Sequence, residues 1–311
     1  MKTIYVLVGP TSTGKTTLAL QLAKEFNGEV ISADSRQIYK YMDVGTGKLP
    51  IDASHDIQRK DKHWVIDGIN IWGYDLVEPD KYFSAYDFAD FALKKAQELL
   101  EQGKTVFLVG GTGLYIDIFM GNVSVAQVDP NLELRNELEK LSMDELISKL
   151  TSLNAERAEN IDKSNKMRII RAIEVASSKS KNTTPLPYLT DTNFIFIGLT
   201  ADRTTLYSRA DAWLDRIWTA GLKLEVQNLI DSGYKDSPKL HGLIYKSVLD
   251  CINKKSTEVE AIQRAKFDLH AYIRRQQTWF KRNNSIKWFD VTQENFSQNV
   301  KACVIAIDKH L

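Results

Sequence analysis

The chain has 311 residues, 43% of them hydrophobic and 26% charged, with a formal net charge of +1. This balance is ordinary for a globular protein and suits one large α/β domain with an insertion, or two modest domains. No apolar run approaches the roughly 18 to 20 residues that span a bilayer, the N-terminus lacks the pattern of a signal peptide, and any nucleic acid must be met by a local basic patch.

Taken in chain order, Thr3 to Val8 (TIYVLV) reads as a buried strand that ends at GPTSTGKT, Gly9 to Thr16. That segment fits G-x-x-x-x-G-K-[ST], and Thr16 to Phe26 follows with helical spacing at Leu18, Leu22 and Phe26. Strand, glycine loop and helix together make the motif a phosphate loop. Glu29 to Ala33 is a second strand and ends on Asp34; Ile69 to Val77 is a third, weakened by Gly73. Phe83 to Leu100 is an amphipathic helix stopped by Gly103, and Thr105 to Val109 is a strand closed by Gly110-Gly111-Thr112-Gly113. Such alternation predicts a mostly parallel sheet with right-handed crossovers, whose ligands bind beyond the carboxyl ends of the strands.

From Gly121 to about Asn165 the sequence changes to short charged helical pieces, Pro130 to Leu141 and Met143 to Leu153 among them. Asn182 to Pro187 reads as a loop, and Phe194 to Leu199 (FIFIGL) returns to the sheet. Helices are expected over Arg203 to Trp218, Leu222 to Ser232, and Thr257 to about Arg282. The predicted fold is α/β, a P-loop NTPase-like, mostly parallel sheet flanked by helices. Residues 1–121 and 166–311 form the core with C-terminal helices, and 122–165 form a small helical insertion domain. The only cysteines, Cys251 and Cys303, form no metal-binding spacing, which fits a reducing cytoplasm.

A phosphate loop surrounds one anion with backbone N–H groups and a helix N-terminus. Gly9, Pro10, Thr11, Ser12, Thr13, Gly14, Lys15 and Thr16 are therefore the candidate diphosphate site, with Lys15 as a point charge and Thr16 as a ligand for Mg²⁺. A nucleotide hydrolase or kinase usually adds an acid at the end of an apolar strand. Thr105 to Val109 ends in glycines instead. The acid that does end a strand is Asp34, a candidate general base whose alternative role is a helix N-cap. Ser35, Arg36 and Gln37 follow it, and an amide such as Gln37 can pair with an adenine edge. Thr112 offers a hydrogen-bond donor within GGTGLY, which taken alone is a turn and packing feature. Arg168 and Arg171 share a face of KMRIIRAIEV, a spacing that by itself reads as solvated surface. RRQQTWFKRN, Arg274 to Asn283, mixes basic and aromatic residues in a way that suits RNA. Its Trp279 and Phe280 are expected to be buried on an amphipathic helix.

These pieces in this order resemble the tRNA dimethylallyltransferase (tRNA isopentenyltransferase) family. The matching elements are GPTSTGKT, SADSRQIYKYMDVGTGK, FSAYDF, VGGTGLY, RIIRAIEV, the stretch Asp211 to Val226, and YIRRQQTWFKR, from residue 8 to about 282. The resemblance implies transfer of a C5 prenyl group from dimethylallyl diphosphate to N6 of an adenosine beside the tRNA anticodon. In that chemistry Lys15, Thr16 and Mg²⁺ offset the charge of the leaving diphosphate, Thr11 and Arg209 face it, and Asp34 takes the amine proton. Asp34, Ser35, Arg36, Gln37, Thr112 and the segment Met167, Arg168, Ile169, Ile170 and Arg171 are the implied tRNA contacts, with Arg274 and Arg275 on the basic helix. The insertion is implied to grip the anticodon stem, and a cytoplasmic monomer is expected.

The sequence departs from the family pattern in two places. GTGKLP stands where GTAKP is usual and leads into a longer polar stretch to about His63, where a typical pair of histidines is reduced to His63-Trp64, and Leu243-Ile244-Tyr245-Lys246 lacks a glycine. Competing readings are the same chemistry on free adenine nucleotide, a small-molecule kinase, and a nucleotide-gated RNA-binding module.

Overall fold

Short apolar runs bounded by polar turns become strands buried on both faces, as parallel sheets require. The computed structural model describes residues 2–49, 55–126, 128–178 and 186–308. Part of the long polar stretch (50–54) and most of the predicted loop at 182–187 lie outside them. The described chain divides into two compact units, Met1–Val123 with Pro187–Leu311, and Ser124–Leu186.

The larger unit holds one eight-stranded sheet of order β3-β4-β5-β2-β6-β1-β7-β8. Its strands are β1 (Lys2–Val8), β2 (Gly28–Ser32), β3 (Ile57–Lys60), β4 (His63–Ile66), β5 (Ile69–Trp72), β6 (Thr105–Gly110), β7 (Thr192–Thr200) and β8 (Lys287–Asp290). From β5 to β8 the neighbours are parallel, while β3 and β4 form an antiparallel hairpin at one edge. The central strands match their predicted runs. The strand expected over 69–77 stops at Trp72, because Gly73 at φ 94° and Asp75 at φ 56° turn the chain. The β3–β4 hairpin escapes a hydrophobicity reading because β3 is an exposed, charged edge strand. It is anchored by Trp64, fully buried, whose indole N–H donates to Asp75 at 2.6 Å.

Helices α1 (Lys15–Glu25), α2 (Ala85–Glu101) and α3 (Gly113–Phe119) follow β1, β5 and β6. α2 starts at a reciprocal cap between Ser84 and Asp87, which satisfies two of the N–H groups a helix start leaves open. The smaller unit contains α4 (Leu132–Glu139), α5 (Met143–Leu153), α6 (Ala155–Asn160) and α7 (Lys166–Ser177). The larger unit resumes with α8 (Arg203–Ile217), α9 (Lys223–Leu229), α10 (Leu243–Ile252), α11 (Glu258–Phe280) and α12 (Phe296–Asp308).

The boundary of the insertion differs from the sequence expectation. α7, assigned by sequence to the core, packs with α4 to α6, since Ile169, Ile170 and Ile173 complete an apolar centre with Leu138, Leu146 and Leu150. Short helices with one apolar stripe need such a partner. Glu174 closes this unit electrostatically. It is buried, accepts two bonds from Arg135 at 2.9 and 2.7 Å, and pairs with Arg171 while capping the Asn131 N–H. Burial pushes its carboxyl up, but the arginines and the Asn131 N–H outweigh that and hold it below the usual range. Removing one partner of a buried pair costs about 3–5 kcal/mol. Glu174→Ala is therefore expected to melt the helical unit at a distinctly lower temperature, read by calorimetry.

Candidate active site

The phosphate loop has its shape because of residues that tolerate unusual backbone. Gly9 sits at φ 142°, and a β-carbon there would lie 2.2 Å from the Leu199 carbonyl oxygen on β7. Ser12 at φ 67° and Gly14 at φ 78° bend the chain into the start of α1. Thr13 Oγ1 and Lys15 Nζ both donate to the Pro10 carbonyl, at 2.9 and 2.7 Å. Desolvation lowers the Lys15 ammonium to a pKa of about 8, against the opposing pull of Asp34. A cation held this way gains from any anion delivered to the loop.

Asp34 lies just beyond β2 and is followed by turns over 35–38 and not by a helix, so the N-cap alternative does not apply. Its Oδ1 accepts the Arg36 N–H at 2.8 Å in a tight turn. Burial raises its pKa above the ordinary carboxylate value, opposed by the Arg36 N–H, Lys15, the Arg36 guanidinium and the Gln37 N–H. The result is a more basic carboxylate in the same cavity as Lys15. The Gln37 amide is occupied by protein: its Oε1 accepts from Ser32 at 2.7 Å and its Nε2 donates to the Thr46 carbonyl at 3.1 Å. It lines the cavity wall, with one amide N–H and one oxygen lone pair bonded to protein. Arg36 donates to the Lys239 carbonyl at 2.6 Å and lies over the Tyr245 ring.

The third strand end locks the first two together. A β-carbon on Gly110 would stand 2.1 Å from the Ala33 carbonyl oxygen, so the glycine lets the two loops touch. Thr112 N donates to that carbonyl at 3.2 Å, and Thr112 Oγ1 accepts the Ser35 N–H at 3.0 Å. Gln276, buried on α11, supplies the remaining link. Its Oε1 accepts the Thr11 N–H at 2.8 Å, and its Nε2 donates to the Gly111 carbonyl at 3.0 Å.

These loops surround a cavity of about 950 Å³ that contains Lys15, Thr16, Asp34, Arg209, Tyr272 and Gln276 in its walls. Arg209 reaches it from α8 and donates weakly to the Val291 carbonyl at 3.5 Å. Tyr272 on α11 bonds Thr112, and burial raises its hydroxyl pKa. Both positions where the sequence departs from the family pattern are anchored. The carboxylate of Glu225 accepts the N–H groups of Asp43, Val44 and Gly45 at 2.7, 2.6 and 3.1 Å and the Tyr245 hydroxyl at 2.7 Å. Lys48 is buried and donates to Asp43, Asp75 and the Tyr39 carbonyl.

Other predicted residues lie elsewhere. Arg274 and Arg275 are exposed on α11, the first donating to the Tyr207 hydroxyl at 3.0 Å and the second lying over the Tyr272 ring. Phe280 is buried, while Trp279 is half-buried with its N–H on Asp117 at 2.9 Å. In the smaller unit Met167 and Arg168 are exposed, but Ile169 and Ile170 are core residues, so their side chains cannot meet RNA. Arg171 is tied to Glu174 and to the Val128 carbonyl at 2.8 Å. Helical periodicity puts the two isoleucines inward, which the motif alone did not reveal. Gln276 and Tyr272 were missed as site residues. The only sequence signal for Gln276 was a glutamine on the apolar stripe of α11.

A mostly parallel sheet with a phosphate loop after its first strand, and a desolvated carboxylate facing that loop, defines a P-loop α/β enzyme of the group-transfer kind. A model described as IPP transferase matches residues 37–283, and one for the ATPase family associated with various cellular activities matches residues 5–59. The chain belongs to the IPP transferase family. It is 39% identical over 304 residues to the tRNA dimethylallyltransferase of Clostridioides difficile, covering 95% of this chain and 94% of that one. It is 36% identical to that of Acetivibrio thermocellus, covering 97% and 95%. Among solved structures it resembles the tRNA isopentenylpyrophosphate transferase of Bacillus halodurans, with a TM-score of 0.70, 32% identity, and coverage of 99% and 96%.

Proposed function

We propose that this chain transfers the dimethylallyl group of dimethylallyl diphosphate to N6 of the adenosine beside the anticodon of a tRNA. The observation that carries this reading is a single cavity in which the phosphate loop, with Lys15, and the carboxylate of Asp34 face one reaction space. The strand that would carry a metal-binding acid in a nucleotide hydrolase, β6, ends in Gly110.

In the reaction a C–N bond forms between N6 and C1 of the donor as the C1–O bond to the diphosphate breaks, and the N6 proton passes to Asp34. The adenine amine is a weak nucleophile, so orientation and stabilisation of the leaving group supply most of the acceleration. The loop amides, the start of α1, Lys15 and Arg209 take the diphosphate. Thr11 lines the same cavity, while its N–H is held by Gln276. Among the described residues no cluster of three or more His, Cys, Asp or Glu side chains is placed to hold a metal alone. The Thr16 hydroxyl, with diphosphate oxygens and water, would supply the kind of all-oxygen donor set that suits Mg²⁺, which would contribute charge neutralisation when bound. The target base must leave its stack to enter the cavity, whose walls include Arg36 and Tyr272, with Ser35 and Thr112 bonded to each other beside Asp34.

The exposed Arg274 and Arg275 meet tRNA phosphates, and the small helical unit, with Met167 and Arg168, is a further RNA-contacting body. The enzyme acts as a cytoplasmic monomer. Arg274→Ala with Arg275→Ala is expected to weaken tRNA binding and to lower the slope of log affinity against log salt by about 1 to 2, since each neutralised phosphate contributes about 0.7 to 0.9. An unchanged slope would return that face to ordinary solvated surface. The reading itself is tested by incubating the protein with labelled dimethylallyl diphosphate and either unmodified tRNA or AMP. Label in tRNA is the expected result; label in AMP alone would overturn it.

A further inference from the structure

Three loops, each beyond a different strand, must keep a fixed relation for the reaction to work. The phosphate loop after β1 holds the leaving group, the Asp34 turn after β2 holds the base, and the glycine loop after β6 lies between them. Thr112 ties the third to the second. The parallel ladder joins the ends of β1 and β6 as far as Val8 and Gly110; beyond the strands a side-chain link runs through Gln276, with Thr11 on one side of its amide and Gly111 on the other. The contact is built on both sides. Gln276 is only 4% exposed, and a β-carbon on Gly111 would fall 2.0 Å from Gln276 Nε2, so only glycine admits the amide. Both polar ends of the side chain are satisfied, as a buried amide requires.

We propose that Gln276 is a positioning residue for the transfer: it sets the distance between the leaving-group cradle and the Asp34 turn. It touches neither reacting atom. Its carbonyl oxygen claims the Thr11 N–H and so fixes which loop amides point at the anion. Its amide nitrogen pins that loop to Gly111, and through Thr112 to Ser35 and Asp34. A misplacement of about 1 Å in such a constellation costs on the order of a hundredfold in rate. The same turn of α11 carries Arg274 and Arg275, so the helix that presents a basic face outward also sets the donor site inward.

The inference rests on the diphosphate reading above, and inorganic pyrophosphate separates the two. Pyrophosphate affinity is measured calorimetrically on the full chain for the wild type, Gln276→Met, Gln276→Glu and, as a control on the same helix turn, Gln277→Met. Met keeps the length and loses both bonds, while Glu keeps an acceptor for Thr11 and loses the donor to Gly111. Both Gln276 variants are expected to weaken pyrophosphate binding about tenfold and to lower kcat/KM for the prenyl donor about a hundredfold. KM for tRNA stays within about twofold, and Gln277→Met behaves as wild type. A wild type that fails to bind pyrophosphate would sink the diphosphate reading. Wild-type binding matched by either folded Gln276 variant would sink only the positioning role. So would a tRNA KM that rises in parallel with the donor KM, or an equal loss in Gln277→Met, because either would signal general loosening of α11.

Discussion

Asp34→Asn is expected to lower turnover by between a hundredfold and ten-thousandfold, roughly the range a positioned general base supplies, with pyrophosphate and tRNA affinities within a few-fold of wild type. The substitution is close to isosteric, and an asparagine oxygen still accepts the Arg36 N–H that shapes the turn, so the loss reports chemistry. Direction of pKa gives a second readout. Burial raises the Asp34 pKa more than the Arg36 N–H, Lys15, the Arg36 guanidinium and the Gln37 N–H lower it. The base form is therefore lost on acidification at a pH above the ordinary carboxylate range. The acid limb of kcat/KM should fall there in the wild type and vanish from the residual activity of the variant. Near-wild-type turnover by Asp34→Asn would remove it as the base.

Lys15→Met is the second large effect, an expected loss of about a hundredfold to a thousandfold in kcat/KM for the donor, the usual consequence of deleting one preorganised group that stabilises developing negative charge. The unliganded protein holds Lys15 at a pKa of about 8 because burial desolvates it more than Asp34 compensates. A bound diphosphate adds negative charge beside it and raises that value. Binding therefore takes up a proton at pH values from about 8 upward, and affinity falls as pH rises through that point. Titrations of pyrophosphate at pH 8.5 in buffers of different ionisation heat should report this uptake in the wild type and none in Lys15→Met. Equal proton uptake by both proteins would assign the linkage to another group.

Both predictions concern residues that were legible in the linear sequence. Glycine spacing, a following helix and an acid closing a neighbouring apolar run are local patterns with local physical causes. The parallel core was legible for the same reason, since strands buried on both faces are continuous runs such as Ile4 to Val8. What escaped was charged, edge-located or shared between distant segments. β3 is polar because it borders solvent, and its hairpin depends on Trp64 reaching Asp75. α7 belongs with the insertion because only its isoleucines close that small core, which also withdraws Ile169 and Ile170 from any RNA surface.

The sequence by itself therefore determined the glycine-rich P-loop, the acid at the neighbouring strand end and the parallel sheet that brings them to one end, because each depends on residues a few positions apart. Only the tertiary structure decided how these parts face each other. Gln276 meets Thr11 across 265 positions and Gly111 across 165, and Glu225 gathers the 43–45 turn from about 180 positions away. A buried amide or carboxylate finds its partners through packing, and no periodicity in the chain records which backbone group will lie opposite it.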